Sequence, residues 1–276
     1  MKLPAIPITD DHIHIDPVNG RGVEAAKDFR RSGGTHIFLV TKPSWSHGVE
    51  PSSGEDYREV FAATLRTAEL VRETGLVVFP VLGVHPAELT RMTDRLGIAG
   101  AAAVMRAGLD VAAEYVRDGR AVGLKSGRPH YEVAPDVWEA SNGVLAHALS
   151  LGAELGCAVQ LHAESGPCTD VVAMAQKAGI PIERVVKHFA TPDTPLMPSL
   201  IAKHEGIPDL ARAGRRFTME SDYMDENSRP GAVVGPKSVP RFTRRYLEEG
   251  LIGEEDAWRI HAETPARTYG VTIDLP

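Results

Sequence analysis

Eight short apolar segments alternate with longer amphipathic segments along this 276-residue sequence, and that order constrains the fold more than any other feature. The apolar segments predict β-strands at Ile8–His14, His36–Thr41, Val77–Val84, Ala121–Lys125, Ala158–His162, Val185–His188, Met197–Ala202 and Phe217–Ser221. The amphipathic segments predict helices, among them Asp56–Thr74, Ala99–Arg117, Val137–Glu154 and Thr169–Ala178. Strands that alternate regularly with helices form parallel βα units. Eight such units in a chain of this length predict one α/β domain, a (β/α)8 TIM barrel spanning residues 1–276.

The seventh predicted strand carries an irregular feature, because Pro195 precedes it and Pro198 lies within it. Proline cannot donate a hydrogen bond to a β-ladder. We therefore expect this strand to be short or bent. The Pro/Gly-rich segment Asn227–Pro240 follows the eighth strand and is predicted either to cover a substrate or simply to connect to the next helix.

The charge of the chain argues against a polynucleotide as its main substrate. The net charge is −7 and the pI is about 5.9, without the basic stripe that is typical of polynucleotide-binding proteins. A nucleic-acid substrate is therefore not favoured, although it stays open. Only two cysteines occur, and we find neither a leader peptide nor an apolar run long enough to span a membrane. These features predict a cytoplasmic protein without a membrane partner, and assembly into a homo-oligomer stays open.

Two histidines stand two residues apart in the first predicted strand, within the sequence DDHIHID. Side chains at alternate positions of a strand point to the same side, so His12 and His14 can reach one ion inside the barrel. A pair of packed or exposed histidines is the alternative. The pair alone therefore carries modest weight.

Three further polar residues end predicted strands: His162 ends AVQLH, His188 ends VVKH and Asp222 closes RFTMESD. Barrel enzymes place their functional residues at the carboxyl-terminal ends of the strands. A buried aspartate also needs a partner, and a metal ion is a suitable one. The sequence therefore predicts a metal centre, with Asp222 both as a ligand and as the group that accepts a proton from the attacking water.

Lys125 ends the fourth predicted strand, in AVGLKSGRPHY. Burial lowers the pKa of a lysine and so supplies the neutral amine that adds carbon dioxide. The resulting carbamate is a carboxylate on a long side chain, able to bridge two metal ions. We predict this modification at Lys125. The alternative is a free ammonium group that pairs with Asp222 or binds an anionic substrate.

Together these motifs resemble the TatD-like branch of the amidohydrolase superfamily, particularly its archaeal-type members. The resemblance extends over essentially the whole chain through HIH, GVHP, GRPHY, QLHAE, VKHFA and MESDY. It implies that His12, His14 and Asp222 hold one metal ion. It also implies that His162 and His188 hold the other. TatD-like proteins usually carry Glu at the bridging position, whereas Lys125 is similar to the carboxylated lysine of phosphotriesterase-like members, a departure that weakens the inference of nuclease activity.

A second group of residues near the predicted strand ends is expected to bind substrate: His85, Arg128, His130, Glu164, Tyr223 and Lys237. The resemblance suggests that His85 faces substrate, although a structural histidine is the alternative. The guanidinium of Arg128 suits a carboxylate or phosphate. Glu164 can orient a histidine, meet substrate or cap the following helix. Lys187 precedes His188 in its strand, so we expect it to face the barrel exterior without a catalytic role.

The sequence therefore predicts a hydrolase with two divalent metal ions, zinc first and manganese or iron as substitutes. Paired cations would acidify a shared water and polarise the scissile carbonyl or phosphoryl group of a small ester, phosphoester, lactone or amide. Three alternatives stay open. They are a mononuclear deaminase or cyclic amide hydrolase, a TatD-type DNase or phosphodiesterase, and a metal-binding barrel without catalytic activity.

Overall fold

The structure, a computed structural model, describes residues 5–228 and 234–275. Within these residues nine strands form one parallel sheet: β1 Thr9–His14, β2 His36–Val40, β3 Val77–Gly83, β4 Gly123–Gly127, β5 Ala158–His162, β6 Val185–Lys187, β7 Met197–Ile201, β8 Thr218–Glu220 and β9 Tyr223–Met224. The eight predicted strands are confirmed, each within two residues of its predicted ends. The two-residue strand β9 was not predicted.

The sheet closes on itself through the segment that joins β8 to β9. The Ser221 amide donates to Asp10 Oδ1 over 3.0 Å, and the Asp222 amide donates to the His12 carbonyl over 3.0 Å. Strand β9 then pairs in parallel with the end of β1. The first and last strands are therefore neighbours, and the predicted TIM barrel is confirmed.

Helices follow most of the strands. They are α1 Val23–Arg31, α2 Tyr57–Arg72, α3 Ala87–Arg117, α4 Pro135–Leu155, α5 Asp170–Ala178, α6 Ile207–Arg212, α7 Ser238–Glu248, α8 Glu254–Trp258 and α9 Thr264–Tyr269. The four predicted helices are all present, but α3 begins 12 residues before the predicted Ala99 and is interrupted at Gly97, where φ is 68°. By length and composition alone α3 could cross a membrane. However, much of its surface is buried against α2, α4 and the barrel.

The interior of the barrel is filled by apolar side chains at the end opposite to the strand carboxyl termini. Phe38 and Val81 meet Ala158 and Val186 there. Tyr269 of α9 closes this end, with its ring centroid 4.1 Å from that of Phe38. Solvent therefore reaches the barrel interior from the carboxyl-terminal end, which we call the mouth.

The seventh strand has an ordinary length despite its prolines. Strand β7 has five residues, as many as β2, so the expectation of a short strand is wrong. Pro198 lies within β7 and is in register with Lys187 of β6. Of the segment Asn227–Pro240, residues 229–233 lie outside the described residues, so a covering role for that part stays a prediction.

His261 links the two ends of the chain and gives stability a predictable pH dependence. The Thr9 amide donates to His261 Nδ1 over 3.2 Å, and His261 Nε2 donates to Thr243 Oγ1 over 2.8 Å. Burial lowers the pKa of His261 from 6.5 to about 4. As the pH falls, the histidine of the unfolded chain takes up a proton at a higher pH than His261 of the folded protein does. The stability linked to neutral His261 is therefore complete above pH 6.5 and is lost as the pH falls toward 4. The loss amounts to about 3 kcal/mol.

We therefore expect the His261→Gln variant to lose less stability than wild type between pH 7.5 and pH 4.5. Urea unfolding of both proteins at the two pH values measures the difference. The other buried histidines occur in both proteins and cancel in the comparison. Equal losses would show that His261 does not titrate in this range.

Candidate metal centre and active site

The six predicted metal-binding residues line one cavity of about 220 Å³ at the mouth. Strand β1 supplies His12 and His14, and β4 and β5 supply Lys125 and His162. His188 follows β6 directly, and Asp222 lies between β8 and β9. Each lies at or within two residues of the carboxyl-terminal end of a barrel strand, which is why residues far apart in sequence meet here.

The distances between the histidine nitrogens are close to those between two ligands of the same metal ion. His12 Nε2 lies 3.1 Å from His14 Nε2, and His162 Nδ1 lies 3.0 Å from His188 Nε2. Two nitrogens bound to one tetrahedral zinc ion, each at about 2.0–2.1 Å, lie roughly 3.3 Å apart. His12, His188 and Asp222 also bring one donor atom each within 4.8 Å of one another. This spacing fits divalent metal ions.

Hydrogen bonds fix which nitrogen two of these histidines present to the cavity. His14 Nδ1 donates to the Val40 carbonyl over 2.8 Å, and His188 Nδ1 donates to Glu220 Oε1 over 3.1 Å. In both rings Nε2 is therefore the nitrogen with a free lone pair. An imidazole oriented in this way by a carbonyl or carboxylate is the usual arrangement around protein-bound metal ions.

The protonation states suit metal binding as well. Burial, reinforced by the nearby Lys125, lowers the pKa of His14 to about 3 and holds that of His12 well below its usual value. Burial also lowers the pKa of His162 and His188. The rings are therefore neutral near pH 7, the form in which imidazole binds metals.

Asp222 occupies a strained position at the edge of the cavity. Its φ is 45°, in the left-handed region that non-glycine residues rarely adopt, and its side chain is 16% exposed. Its Oδ1 lies 3.9 Å from His12 Nε2. Burial raises the pKa of Asp222 to about 6. A carboxylate with a pKa near neutrality is suited to exchange protons during a reaction.

Lys125 is buried among the histidines, with Nζ 3.2 Å from His12 Nε2. Burial lowers the pKa of this amine to about 7. The neighbouring strands approach it closely, because a Cβ on Gly83 would lie 1.9 Å from the Lys125 carbonyl oxygen. Glycine is therefore needed beside the lysine.

Glu220 is a site residue that the sequence analysis missed. It is fully buried, and its Oε1 accepts hydrogen bonds from His188 Nδ1 over 3.1 Å and from the Phe189 amide over 2.8 Å. Its Oε2 accepts from Ser199 Oγ. Glu220 stands two residues before Asp222, so the motif MESD carried a usable signal for a second carboxylate near the strand end.

We expect the Glu220→Gln variant to bind divalent metal about 10–100-fold more weakly, because an amide orients and polarises His188 less than a carboxylate does. Competition between the protein and a chelator for Zn²⁺ measures the affinity. Ser199→Ala is the matched control, since it removes a neighbour of Glu220 that does not touch His188. Unchanged metal affinity together with reduced thermal stability would limit Glu220 to a folding role.

Two of the predicted substrate-binding histidines do line the cavity. The ring centroid of His85 lies 4.6 Å from that of His162. His130 Nδ1 lies 2.8 Å from His162 Nε2. The sequence analysis missed five further lining residues. Three follow β2, and the other two lie in or just after β9: Pro43, Trp45, Ser46, Met224 and Glu226. Their positions after strand ends were the available signal.

Arg128 is engaged by the protein itself, which argues against its predicted role in reading a substrate anion. Its guanidinium donates to both carboxylate oxygens of Glu164 and of Asp170, and it stacks over Trp138 at 4.6 Å. The side chain is almost completely buried. The proposed role of Glu164 in orienting a histidine is likewise replaced by an ion pair with Arg128.

Tyr223 and Lys237 do not line the cavity and are bonded to other residues, so their substrate-binding role stays a prediction. The Tyr223 hydroxyl donates to Asp225 Oδ1 over 2.8 Å, and Lys237 Nζ lies 3.3 Å from Asp28 Oδ2. Lys187 does not line the cavity either, as expected. Its side chain is nevertheless buried, and its amine donates to the His188 carbonyl over 2.9 Å.

A buried ion pair holds the loops beside Asp222 in place. Lys42 Nζ donates to Asp16 Oδ2 over 2.7 Å and to the Asp225 carbonyl over 3.2 Å. The Asp225 carboxylate accepts the amides of Asp16, Arg21 and Gly22. These bonds connect the loop after β1 to the segment after Asp222.

The sequence matches the family described as TatD related DNase over residues 9–270. This chain belongs to the TatD-related family. It is also 35% identical to an uncharacterized protein of Methanocaldococcus jannaschii, an alignment that covers 99% of both chains. The family resemblance inferred from the motifs is thereby confirmed. The protein is a TatD-like hydrolase of the metal-dependent, TIM-barrel type.

Solved structures share the fold of this TatD-family chain. YJJV, a TatD homologue from Escherichia coli K12, superposes with a TM-score of 0.65 at 18% identity and covers 96% of this chain and 98% of its own. A phosphotriesterase-like lactonase of Deinococcus radiodurans superposes with a TM-score of 0.59 at 15% identity, covering 96% and 95%. At such identities the likeness shows the barrel fold alone.

Proposed function

We propose that this TatD-family hydrolase cleaves a small, uncharged ester or lactone at a centre of two divalent metal ions. The observation that carries the proposal is the composition of the cavity. Its volume is about 220 Å³. Its described lining contains all four predicted histidine ligands, Lys125 and Asp222, but no arginine. Such a space suits a small molecule rather than a polyanion.

The proposed centre divides the donor atoms between two ions, which lie side by side because the rings of His12 and His188 are stacked at 4.0 Å. His12, His14 and Asp222 are proposed for one ion and His162 and His188 for the other, with a carbamate on Lys125 as the bridge. Imidazole and carboxylate ligands suit zinc first, and manganese or iron next. Such ions would polarise the scissile oxygen and acidify water. Asp222 is proposed to accept the proton of the attacking water and to return it to the leaving group.

Cleavage of a phosphodiester is the second candidate, because the matching family is described as TatD related DNase. The geometry supports it less. Arg128 is the guanidinium nearest in sequence to the bridging position, and its donors are taken by Glu164 and Asp170. The described cavity lining therefore offers a phosphodiester Lys125 but no arginine.

The proposal is tested with metal-loaded protein on matched substrates. γ-Butyrolactone and simple carboxylic esters represent the proposed class, and p-nitrophenyl phosphodiesters and single-stranded oligonucleotides represent the second. We expect chelator-sensitive turnover of the lactone or esters with about two metal ions per chain. Rapid oligonucleotide cleavage with inert esters would overturn the proposal. One metal ion per chain would favour a mononuclear deaminase or cyclic amide hydrolase.

A further inference from the structure

Phe189 is an exposed aromatic residue in a strained backbone position beside the mouth, next to a lining residue but not itself part of the cavity lining. It directly follows the predicted ligand His188, and 53% of its surface is exposed. Its φ is 51°, a left-handed conformation that is costly for a bulky side chain. Strain of this kind concentrates at functional sites.

Hydrogen bonds hold the backbone at Phe189 in this strained conformation. The Phe189 amide donates to Glu220 Oε1 over 2.8 Å, and the same oxygen accepts from His188 Nδ1. The next residue, Ala190, donates its amide to the Ser199 carbonyl over 2.9 Å. One buried carboxylate therefore fixes both a predicted metal ligand and the backbone of the exposed ring.

Phe189 ends a row of rings that crosses the mouth, which we call the aromatic row. Its ring centroid lies 6.4 Å from that of His188, which lies 5.1 Å from that of His162. The row continues to His130 at 5.0 Å and to Tyr131 at a further 5.3 Å. Tyr131 is 41% exposed. Exposed aromatic residues thus stand at both ends of the histidine cluster.

The lining of the cavity agrees with an apolar ligand beside the reacting group. Trp45 and Met224 form part of its wall, and the Trp45 ring lies 6.1 Å from that of His85. Aromatic rings attract one another at centroid separations of about 4.5–7 Å, preferably edge to face or offset. An aromatic group held beside the histidines would find such a partner in Phe189.

We propose that Phe189 is a specificity-determining residue that binds a flat aromatic group attached to the scissile ester. This inference rests on the proposed ester hydrolysis and names its substrate class, an aryl ester or aryl-substituted lactone. The ring of Phe189 stacks against the aromatic group while the ester lies over His162 and His188. Tyr131, at the other end of the aromatic row, forms the far edge of the proposed binding surface.

The test compares 2-naphthyl acetate with methyl acetate in wild type and in Phe189→Ala. We expect KM for the naphthyl ester to rise about 2–10-fold, the value of one aromatic contact, with kcat nearly unchanged. For methyl acetate kcat/KM should stay within about twofold of wild type, because the acetyl group does not need the ring. Leu70→Ala, which trims an exposed apolar residue of α2, is the control and should change neither ester.

A second variant separates binding from strain. Phe189→Gly removes the ring and tolerates the left-handed φ, so we expect equal or higher thermal stability with the same loss of naphthyl-ester selectivity. Equal effects on both esters, or no effect on either, would overturn the inference. So would a wild-type dimer that dissociates in Phe189→Ala during sedimentation, because the ring would then be a contact between copies of the chain.

The proposed function can fail independently of this inference. If metal-loaded wild type hydrolyses neither ester, ester hydrolysis is wrong. Calorimetric binding of 2-naphthol then still tests Phe189, and we expect Kd to rise about 2–10-fold in Phe189→Ala. An unchanged Kd would overturn the assignment of an aromatic binding surface.

Discussion

The Asp222→Asn variant is expected to lose two to four orders of magnitude in kcat on the ester or lactone that wild type hydrolyses. An amide cannot accept the proton of the attacking water, and a positioned acid or base contributes about 10²–10⁴ in rate. The site supports this role, because Asp222 lies at the edge of the cavity with its Oδ1 3.9 Å from Nε2 of the predicted ligand His12. Measurement of kcat against pH in both proteins checks the prediction.

Metal content must be measured beside the rate, because Asp222 is also a predicted ligand. Both proteins are therefore assayed after metal loading, with the ions per chain determined by mass spectrometry. Asp193→Asn is the matched control, since it removes one negative charge from an exposed position in the loop after β6. A variant with two metal ions and the wild-type rate would exclude Asp222 as the proton acceptor and would favour a metal-binding barrel without turnover.

Replacement of Lys125 by Ala is expected to empty at least one metal position. It should also reduce kcat by a factor similar to that expected for Asp222→Asn. The amine lies 3.2 Å from His12 Nε2 at the centre of the ligand cluster, and alanine cannot bridge two ions. Short carboxylates such as formate or acetate should restore part of the activity by filling the vacated volume. Metal analysis with and without added carboxylate measures both effects.

Lys125→Glu is the informative counterpart, because it supplies a carboxylate on a shorter side chain at the same position of β4. We expect it to keep more metal than Lys125→Ala. Incorporation of ¹³C-bicarbonate into the wild-type protein, followed by ¹³C NMR, detects the carbamate directly. Unchanged metal content in Lys125→Ala would refute the bridge and leave the lysine as a free ammonium group.

The parts of the site that follow from strand geometry could be predicted from the sequence. Parallel strands place their carboxyl ends together, so the ends of AVQLH and VVKH were sufficient to bring His162 and His188 near the β1 histidines. The same reasoning places Lys125 and Asp222. The strand pattern predicts where each of these residues lies in its strand. The parallel arrangement of the strands then brings the residues together at one end of the barrel.

Partners of long polar side chains could not be predicted in this way. Arg128 pairs with Glu164 and Asp170, which lie 36 and 42 residues further along the chain. Its motif position suggested a free anion-binding group, whereas the fold surrounds it with two carboxylates and Trp138. Lys237 likewise meets Asp28 of α1. Charge pairing of this kind depends on how the outer loops pack.

The position of Asp222 between β8 and β9 has a consequence for the apoprotein. Its amide donates a hydrogen bond to the His12 carbonyl of the first strand, and its carboxylate lies close enough to the His12 ring to share an ion with it. A metal ion bound there would cross-link the two margins of the sheet where the barrel closes. Chelation should therefore loosen the two margins of the sheet before it affects the strands on the far side.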